Sequence, residues 1–180
     1  MKKIINKTIA AFSIILFTSL CCFSQDCGLY VVANIDRMKP GVVDSASKSE
    51  IIINNLETKE SIMMVLHKHV YGASVFINIQ KDGVSSCIEK DATITILLNN
   101  DSTVVLKNSS KWNCDGMATM YILAPSPALG ILNPEYAILK TNMIKAIRIS
   151  TFKGYVECDF TKKNSEDFIN TLNCLTKSIK

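Results

Sequence analysis

Two histidines separated by one residue, His67 and His69 in VLHKHV, are the first side chains in this sequence that could do chemistry. Alternate residues of a β-strand point to the same side, so a strand through this segment presents both imidazoles together. Imidazole nitrogen is a frequent ligand of zinc and copper, but such a site needs further ligands from elsewhere in the chain. The segment therefore fits either a metal site at His67 and His69 or, as we predict, two solvated histidines on an outer strand face.

Two carboxylates, Glu157 and Asp159, also alternate along an apparent strand, and Tyr155 shares their side. Paired carboxylates can perform acid–base catalysis or bind calcium. The same pattern is typical of the solvated face of an amphipathic strand, and neither spacing nor context favours a site. We predict the solvated face and assign no catalytic residue.

Five cysteines follow residue 25, and none of them forms a C-x-x-C pair. Long spacings favour structural disulfides over a redox pair or a zinc site. Cys87 and Cys114 flank a hairpin pattern, TITILLNNDSTVVL, whose turn lies near Asn100. A two-residue turn places the two cysteines directly opposite each other, while a three-residue turn shifts the register by one unless a bulge restores it. We predict a Cys87–Cys114 disulfide.

The remaining cysteines leave an open choice. Cys174 lies beside the apolar stripe of a predicted C-terminal helix and could pair with Cys158 or with Cys27 near the N-terminus. The sequence does not choose between these pairings, and an odd number of cysteines leaves at least one thiol without an intrachain partner.

Other catalytic and cofactor patterns are missing. The sequence contains no G-x-S-x-G, H-E-x-x-H, P-loop or dinucleotide fingerprint, so we predict no cofactor and no enzyme activity. Trp112, the single tryptophan, could stack on a sugar or fill the core beside a disulfide, and we predict the core position.

Residues 1–25 have the pattern of a signal peptide: a basic start, an apolar run and small residues before a cleavage site after Ser24 or Gln25. Removing the three leader lysines lowers the 20 basic residues to 17 against 16 acidic ones, a net charge of +1. No basic cluster remains, so we expect no nucleic-acid partner. Residues 26–180 are long enough for a single domain, and after cleavage no membrane-spanning segment is predicted.

Alternating apolar residues dominate residues 26–180 and predict successive strands joined by short polar turns. We predict a loop over residues 37–49 and a two-residue turn at Gly72-Ala73 between strands at 62–70 and 75–79. Asn133-Pro134-Glu135 begins a short helix, and a final helix capped by Asn164 or Ser165 carries an apolar stripe at helical spacing. We predict an α+β fold that is predominantly β. Its antiparallel meander sheet is curved or sandwich-like, and the C-terminal helix packs on it.

Most of the chain resembles the small exported uncharacterised proteins common in Bacteroidota. The matching features are FSQ followed at once by DCGLYVVANID, the central TITILLNNDSTVVL hairpin, and the ending IKAIRISTFKGYVECDF with FINTLNCL. The resemblance implies a periplasmic, outer-surface or secreted location and no particular activity. We therefore expect a non-enzymatic binding or structural domain with a protein or small-ligand partner; the alternatives are a metal-binding protein using His67 and His69 and an enzyme with an unrecognised site.

Overall fold

The structure is a computed structural model that describes residues 26–35, 43–69, 72–81, 84–123 and 133–177; the predicted signal peptide, residues 1–25, lies outside these ranges. The described strands are β1 Val31–Ile35, β2 Val43–Ser47, β3 Ile51–Asn55, β4 Glu60–His69, β5 Gly72–Lys81, β6 Val84–Ser85, β7 Thr93–Leu98, β8 Thr103–Lys107, β9 Met117–Leu123, β10 Ile144–Thr151 and β11 Gly154–Asp159. The helices are a 3-10 helix at Cys27–Leu29, α1 at Pro134–Leu139 and α2 at Lys162–Thr176.

Among the described residues, these strands form two antiparallel sheets of seven and four strands. The long β4–β5 hairpin is the centre of the seven-stranded sheet; β2 and β3 pair along β4, and β6 and β9 pair along β5. The strand β1 adds to β2. The four-stranded sheet has the order β11-β10-β7-β8.

One apolar core lies between the two sheets and beneath α2. Alternate residues of β4, such as Ile62 and Met64, meet buried residues of β10, such as Ile149, in a single cluster. The predicted stripe of α2 is buried there through Phe168, Leu172 and Leu175, and α2 contacts β3, β4 and β5. The predicted fold class, antiparallel and mostly β with a C-terminal helix on the sheet, is confirmed.

Three local predictions were wrong. The β4–β5 turn was expected at Gly72-Ala73, but Gly72 pairs with His69 and Ala73 with Lys68, so both residues belong to β5. Residues 43–47 were expected in a loop and instead form β2, because pairing with β1 outweighs the weak strand preference of DSAS. The N-cap of α2 is Thr161, whose hydroxyl accepts the Asn164 N–H at 3.1 Å.

The predicted Cys87–Cys114 disulfide is present. The β7–β8 hairpin uses the three-residue turn, in which Asp101 takes a left-handed conformation with φ 61° and Ile94 pairs with Leu106. Beyond the hairpin, Ile88 pairs with Asn113, one residue out of step with that register. The intervening irregularity therefore acts as the bulge that brings the two cysteines opposite each other.

The open choice for Cys174 is resolved in favour of Cys27, 147 residues earlier in the chain. This disulfide joins α2 to the 3-10 helix, and the Asn170 amide donates to the Tyr30 hydroxyl at 3.1 Å in the same region. Cys158 is free and fully buried on the apolar face of β11. Its side chain belongs to the core cluster, on the same strand face as Val156.

A buried asparagine joins the sheets where β8 ends. Asn108 is fully buried, and its Oδ1 accepts the N–H groups of Ser110 and Thr119 while its Nδ2 donates to the carbonyls of Glu89 and Ser110. All of its hydrogen-bonding capacity is used, as a buried amide requires. The end of the four-stranded sheet is thereby fixed to β9 of the seven-stranded sheet.

The two disulfides should contribute unequally to stability. In the chain-entropy treatment, the cross-link of 147 residues stabilises by about 5 kcal/mol and that of 27 residues by about 3.5 kcal/mol. Urea unfolding of the double variants Cys27→Ala/Cys174→Ala and Cys87→Ala/Cys114→Ala should show the larger loss for the first. A larger loss for the second would contradict the entropic ranking.

Candidate functional site

A cleft of about 490 Å³ lies at one corner of the two sheets, between the β3–β4 turn and the β10–β11 hairpin. We call it the corner cleft. Its described lining is Asn55, Thr58, Glu60, Arg148, Lys153, Gly154, Tyr155 and Glu157. The volume is within the range of about 300–1,000 Å³ that is usual for small-ligand sites.

The first wall of the cleft is the β3–β4 turn, whose conformation is stabilised by hydrogen bonds to the Asn55 side chain. Asn55 Oδ1 accepts the N–H groups of Glu57 and Thr58, an Asx turn that replaces the missing backbone hydrogen bonds of the loop. Lys59 then takes a left-handed conformation with φ 52°, which returns the chain to β4. The turn therefore holds Thr58 and the start of β4 in a fixed position at the cleft.

The second wall is the β10–β11 hairpin. Thr151 pairs with Gly154, so Phe152 and Lys153 form a two-residue turn, and Gly154 has a φ of +130° that L-residues rarely adopt. The Phe152 N–H donates to the Cys87 carbonyl at 2.9 Å. This hydrogen bond holds the hairpin tip against the segment that contains the Cys87–Cys114 disulfide.

A buried carboxylate closes the corner. Glu60 follows the inward-facing alternation of β4, in line with Ile62, and only 5% of its surface is exposed. Its Oε2 accepts the N–H of Glu157 at 3.2 Å, and the Asn55 amide donates to the Glu157 carbonyl at 3.4 Å. The free edge of β11 is thus bonded by two side chains of the other sheet.

Charged and aromatic side chains of β10 and β11 face the cleft from the outer surface. Arg148 and Glu157 are cross-strand partners, and the Arg148 Nε donates to the Glu157 carboxylate. This hydrogen bond and the charge of Glu157 raise the pKa of Arg148 above its usual value. The Arg148 guanidinium also lies 4.6 Å from the centre of the Tyr155 ring, a cation–π contact.

The described lining thus brings two carboxylates, Glu60 and Glu157, together with two cations, Arg148 and Lys153, and has no net formal charge. Asn55 and Thr58 add an amide and a hydroxyl, and Tyr155 adds a ring that is 57% exposed. Such a surface can donate and accept several hydrogen bonds and can stack against an apolar ligand face.

Sequence reasoning found part of this cleft. Tyr155 and Glu157 were considered as a site and assigned to a solvated face; both are on the outer face and also line the cleft. Asp159 pairs with Ala146 farther along β11 and is not in the described lining. Glu60 was missed, although a carboxylate in step with Ile62, Met64 and Leu66 interrupts the apolar face of β4 and was a usable signal.

The structure describes His67 on the outer face of its strand, the face that the sequence predicted for it. His67 is half-buried on the outer face of β4, and its ring packs edge-on against Phe76 with a centroid distance of 5.0 Å. His69 is the last residue of β4 and pairs with Gly72. Within the described ranges, no group of three or more His, Cys, Asp or Glu side chains converges as a metal site. Metal binding at His67 and His69 therefore stays an untested alternative.

Trp112 was expected in the core, and this was wrong. The residue is 61% exposed and lies two positions before Cys114 in the chain.

Comparisons with protein-family models, with curated proteins and with solved structures find no match to this chain.

The buried thiol of Cys158 makes stability depend on pH. Burial, then the nearby charge of Glu60, raises the pKa of Cys158 from its ordinary value of 9.0 to about 11. Between these values the unfolded chain loses a proton that the folded chain keeps, so stability is complete below pH 9 and falls as pH rises toward 11. The slope is at most about 1.4 kcal/mol per pH unit.

Stopped-flow unfolding and refolding in urea between pH 7.5 and 10.5 measures this dependence before slower disulfide exchange begins. The Cys158→Ala variant is the control: it should be less stable than the wild type near neutral pH, and the difference should shrink as pH rises. Rapid reaction of the native wild-type thiol with Ellman's reagent at pH 8 would contradict the burial of Cys158.

Proposed function

We propose that the protein is an exported, non-enzymatic binding domain of the bacterial envelope or secreted space, and that the corner cleft holds its ligand. The observation that carries the proposal is the convergence of Glu60, Glu157, Arg148 and Tyr155 on one cleft, in positions fixed by their own contacts. A surface held in this way loses little conformational freedom when a ligand binds.

The contacts of the carboxylates favour binding over catalysis. Glu157 is bonded by Arg148, and Glu60 accepts a backbone N–H, so both serve as fixed acceptors in the architecture of the corner. The cleft is therefore suited to holding a ligand through hydrogen bonds and ring contacts.

Two disulfides support the exported location. Disulfides persist in oxidising compartments and are rare where thiols are kept reduced. In the described part of the chain, no helix is long and apolar enough to cross a bilayer. Cys27 lies just after the predicted cleavage site and is bonded to α2, so export and folding of the remaining chain are compatible.

Expression of the full chain in a bacterial host tests the location. The intact mass of the native protein should correspond to a chain that begins at Gln25 or Asp26, with two disulfides and one free thiol. Retention of Met1 or Lys2 in the purified material would contradict the exported form.

A blocking variant tests the cleft. Thr58→Trp introduces a large side chain at a lining position, while Glu57→Trp places the same side chain at the neighbouring exposed position of the same turn, outside the described lining. We expect at least one compound in a mixed panel of sugars, amino acids, dipeptides, organic acids and nucleotides to raise the melting temperature of the wild type and of Glu57→Trp, but not of Thr58→Trp.

The shift in melting temperature follows from preferential binding to the folded state. At a ligand concentration of one hundred times Kd, binding raises the free energy of unfolding by about 3 kcal/mol. Compounds that stabilise all three proteins equally would place binding elsewhere. No shift with any compound would contradict the binding function.

A further inference from the structure

We infer that the ligand of the corner cleft is a neutral carbohydrate, bound as an oligosaccharide that stacks on Tyr155. This inference rests on the binding function proposed above and adds the chemical class of the ligand. It is carried by the charge balance of the cleft, by the arrangement of its hydrogen-bonding groups, and by the exposed aromatic side chains around it.

The charge balance favours a neutral ligand. Arg148 and Glu157 already form an ion pair within the cleft, and the other charged lining residues, Glu60 and Lys153, are of opposite sign. An ion that approached Arg148 or Glu157 would meet a charge of its own sign in the same ion pair, and the four formal charges of the described lining sum to zero, so neither an anion nor a cation gains a strong Coulomb attraction. A neutral ligand has no such conflict.

The polar groups suit a ligand with many hydroxyls. A hydroxyl both donates and accepts, and the cleft offers acceptors on Glu157 and donors on Arg148, Lys153 and the Asn55 amide. Donors and acceptors alternate over a short distance here because Arg148 and Glu157 are direct cross-strand neighbours. Vicinal hydroxyls of a sugar ring can bond such a donor–acceptor pair simultaneously.

The Tyr155 ring supplies the apolar part of the site. Arg148 lies over the ring at 4.6 Å, and the residue nevertheless remains 57% exposed. The C–H face of a pyranose is apolar, while its edge carries the hydroxyls. Stacking of that face on the ring would bring the hydroxyl edge toward the polar groups of the cleft.

A further exposed aromatic residue favours a ligand of several sugar units. Phe152, at the tip of the same hairpin, is 68% exposed, and its N–H is bonded to Cys87. It directly precedes Lys153, which lines the cleft. Exposed aromatic side chains next to a cleft are typical of a binding surface.

Titration calorimetry with the disulfide-intact protein tests the inference. The probes are cellohexaose, laminarihexaose, xylohexaose, mannohexaose, maltohexaose and chitohexaose, with an oligogalacturonate hexamer as the acidic comparison. We expect at least one neutral hexamer to bind more tightly than its own monosaccharide, with a Kd that changes less than about twofold between 50 and 500 mM NaCl, because screening affects only charged contacts.

Variants then place the binding on the cleft. Tyr155→Ala should weaken binding at least about tenfold, the equivalent of about 1.4 kcal/mol. Tyr121→Ala is the matched control, because Tyr121 is an exposed tyrosine, 41% accessible, on the outer face of the other sheet. It should leave the affinity unchanged. Circular dichroism and melting curves establish that both variants are folded.

Each other result overturns the inference. Binding of the acidic hexamer alone, lost at high salt, would leave the cleft as a binding site but assign it a charged ligand. Neutral binding that survives Tyr155→Ala would place the carbohydrate elsewhere on the protein. Failure of all six neutral hexamers to bind would remove carbohydrate as the ligand class, while stabilisation by another compound that Thr58→Trp abolishes would still support a binding cleft.

Discussion

The hydrogen bond between the buried Glu60 carboxylate and the Glu157 N–H is the constraint on which the corner cleft depends. A carboxylate on the inward face of a sheet is costly unless hydrogen bonds replace its lost water. The free edge of β11 also carries backbone groups that need partners. At this corner the Glu157 N–H supplies a donor to the Glu60 carboxylate, and the carboxylate supplies an acceptor to the edge of β11. The β10–β11 hairpin is therefore held beside the β3–β4 turn. The outward side chains Arg148, Tyr155 and Glu157 border the gap between them.

At the opposite edges of the two sheets, a neutral side chain forms the hydrogen bonds between them. Asn108, beyond β8, bonds the backbone of Thr119 on β9 and of its own loop, with every amide capacity used inside the fold. A buried carboxylate thus joins the sheets at the corner where the cleft lies, and a buried amide joins them at the other edge.

Alternation and turn chemistry predicted the local elements well, because strand faces and hairpin turns depend on residues close in sequence. The β7–β8 hairpin, β9, the last hairpin and the stripe of α2 all follow from such patterns. The pairing of β5 with β9 and of β7 with β10 joins segments far apart in the chain, which local patterns do not encode. The cleft likewise depends on a contact between segments far apart in the chain, the packing of β3 and β4 against β11. Tyr155 and Glu157 could therefore be noticed in sequence, while their neighbours Asn55 and Glu60 could not be placed beside them.

The oxidation state of Cys87 and Cys114 affects the geometry of the cleft. The Cys87 carbonyl accepts the Phe152 N–H, so the segment that the disulfide holds also anchors the tip of the β10–β11 hairpin. Lys153 and Gly154 follow directly in that tip and line the cleft. In a reducing environment the Cys87 segment would lose its covalent link to Cys114 and keep the backbone hydrogen bonds between Ile88 and Asn113. A site built on a hairpin held from outside its own sheet is therefore best suited to a compartment in which the disulfide persists.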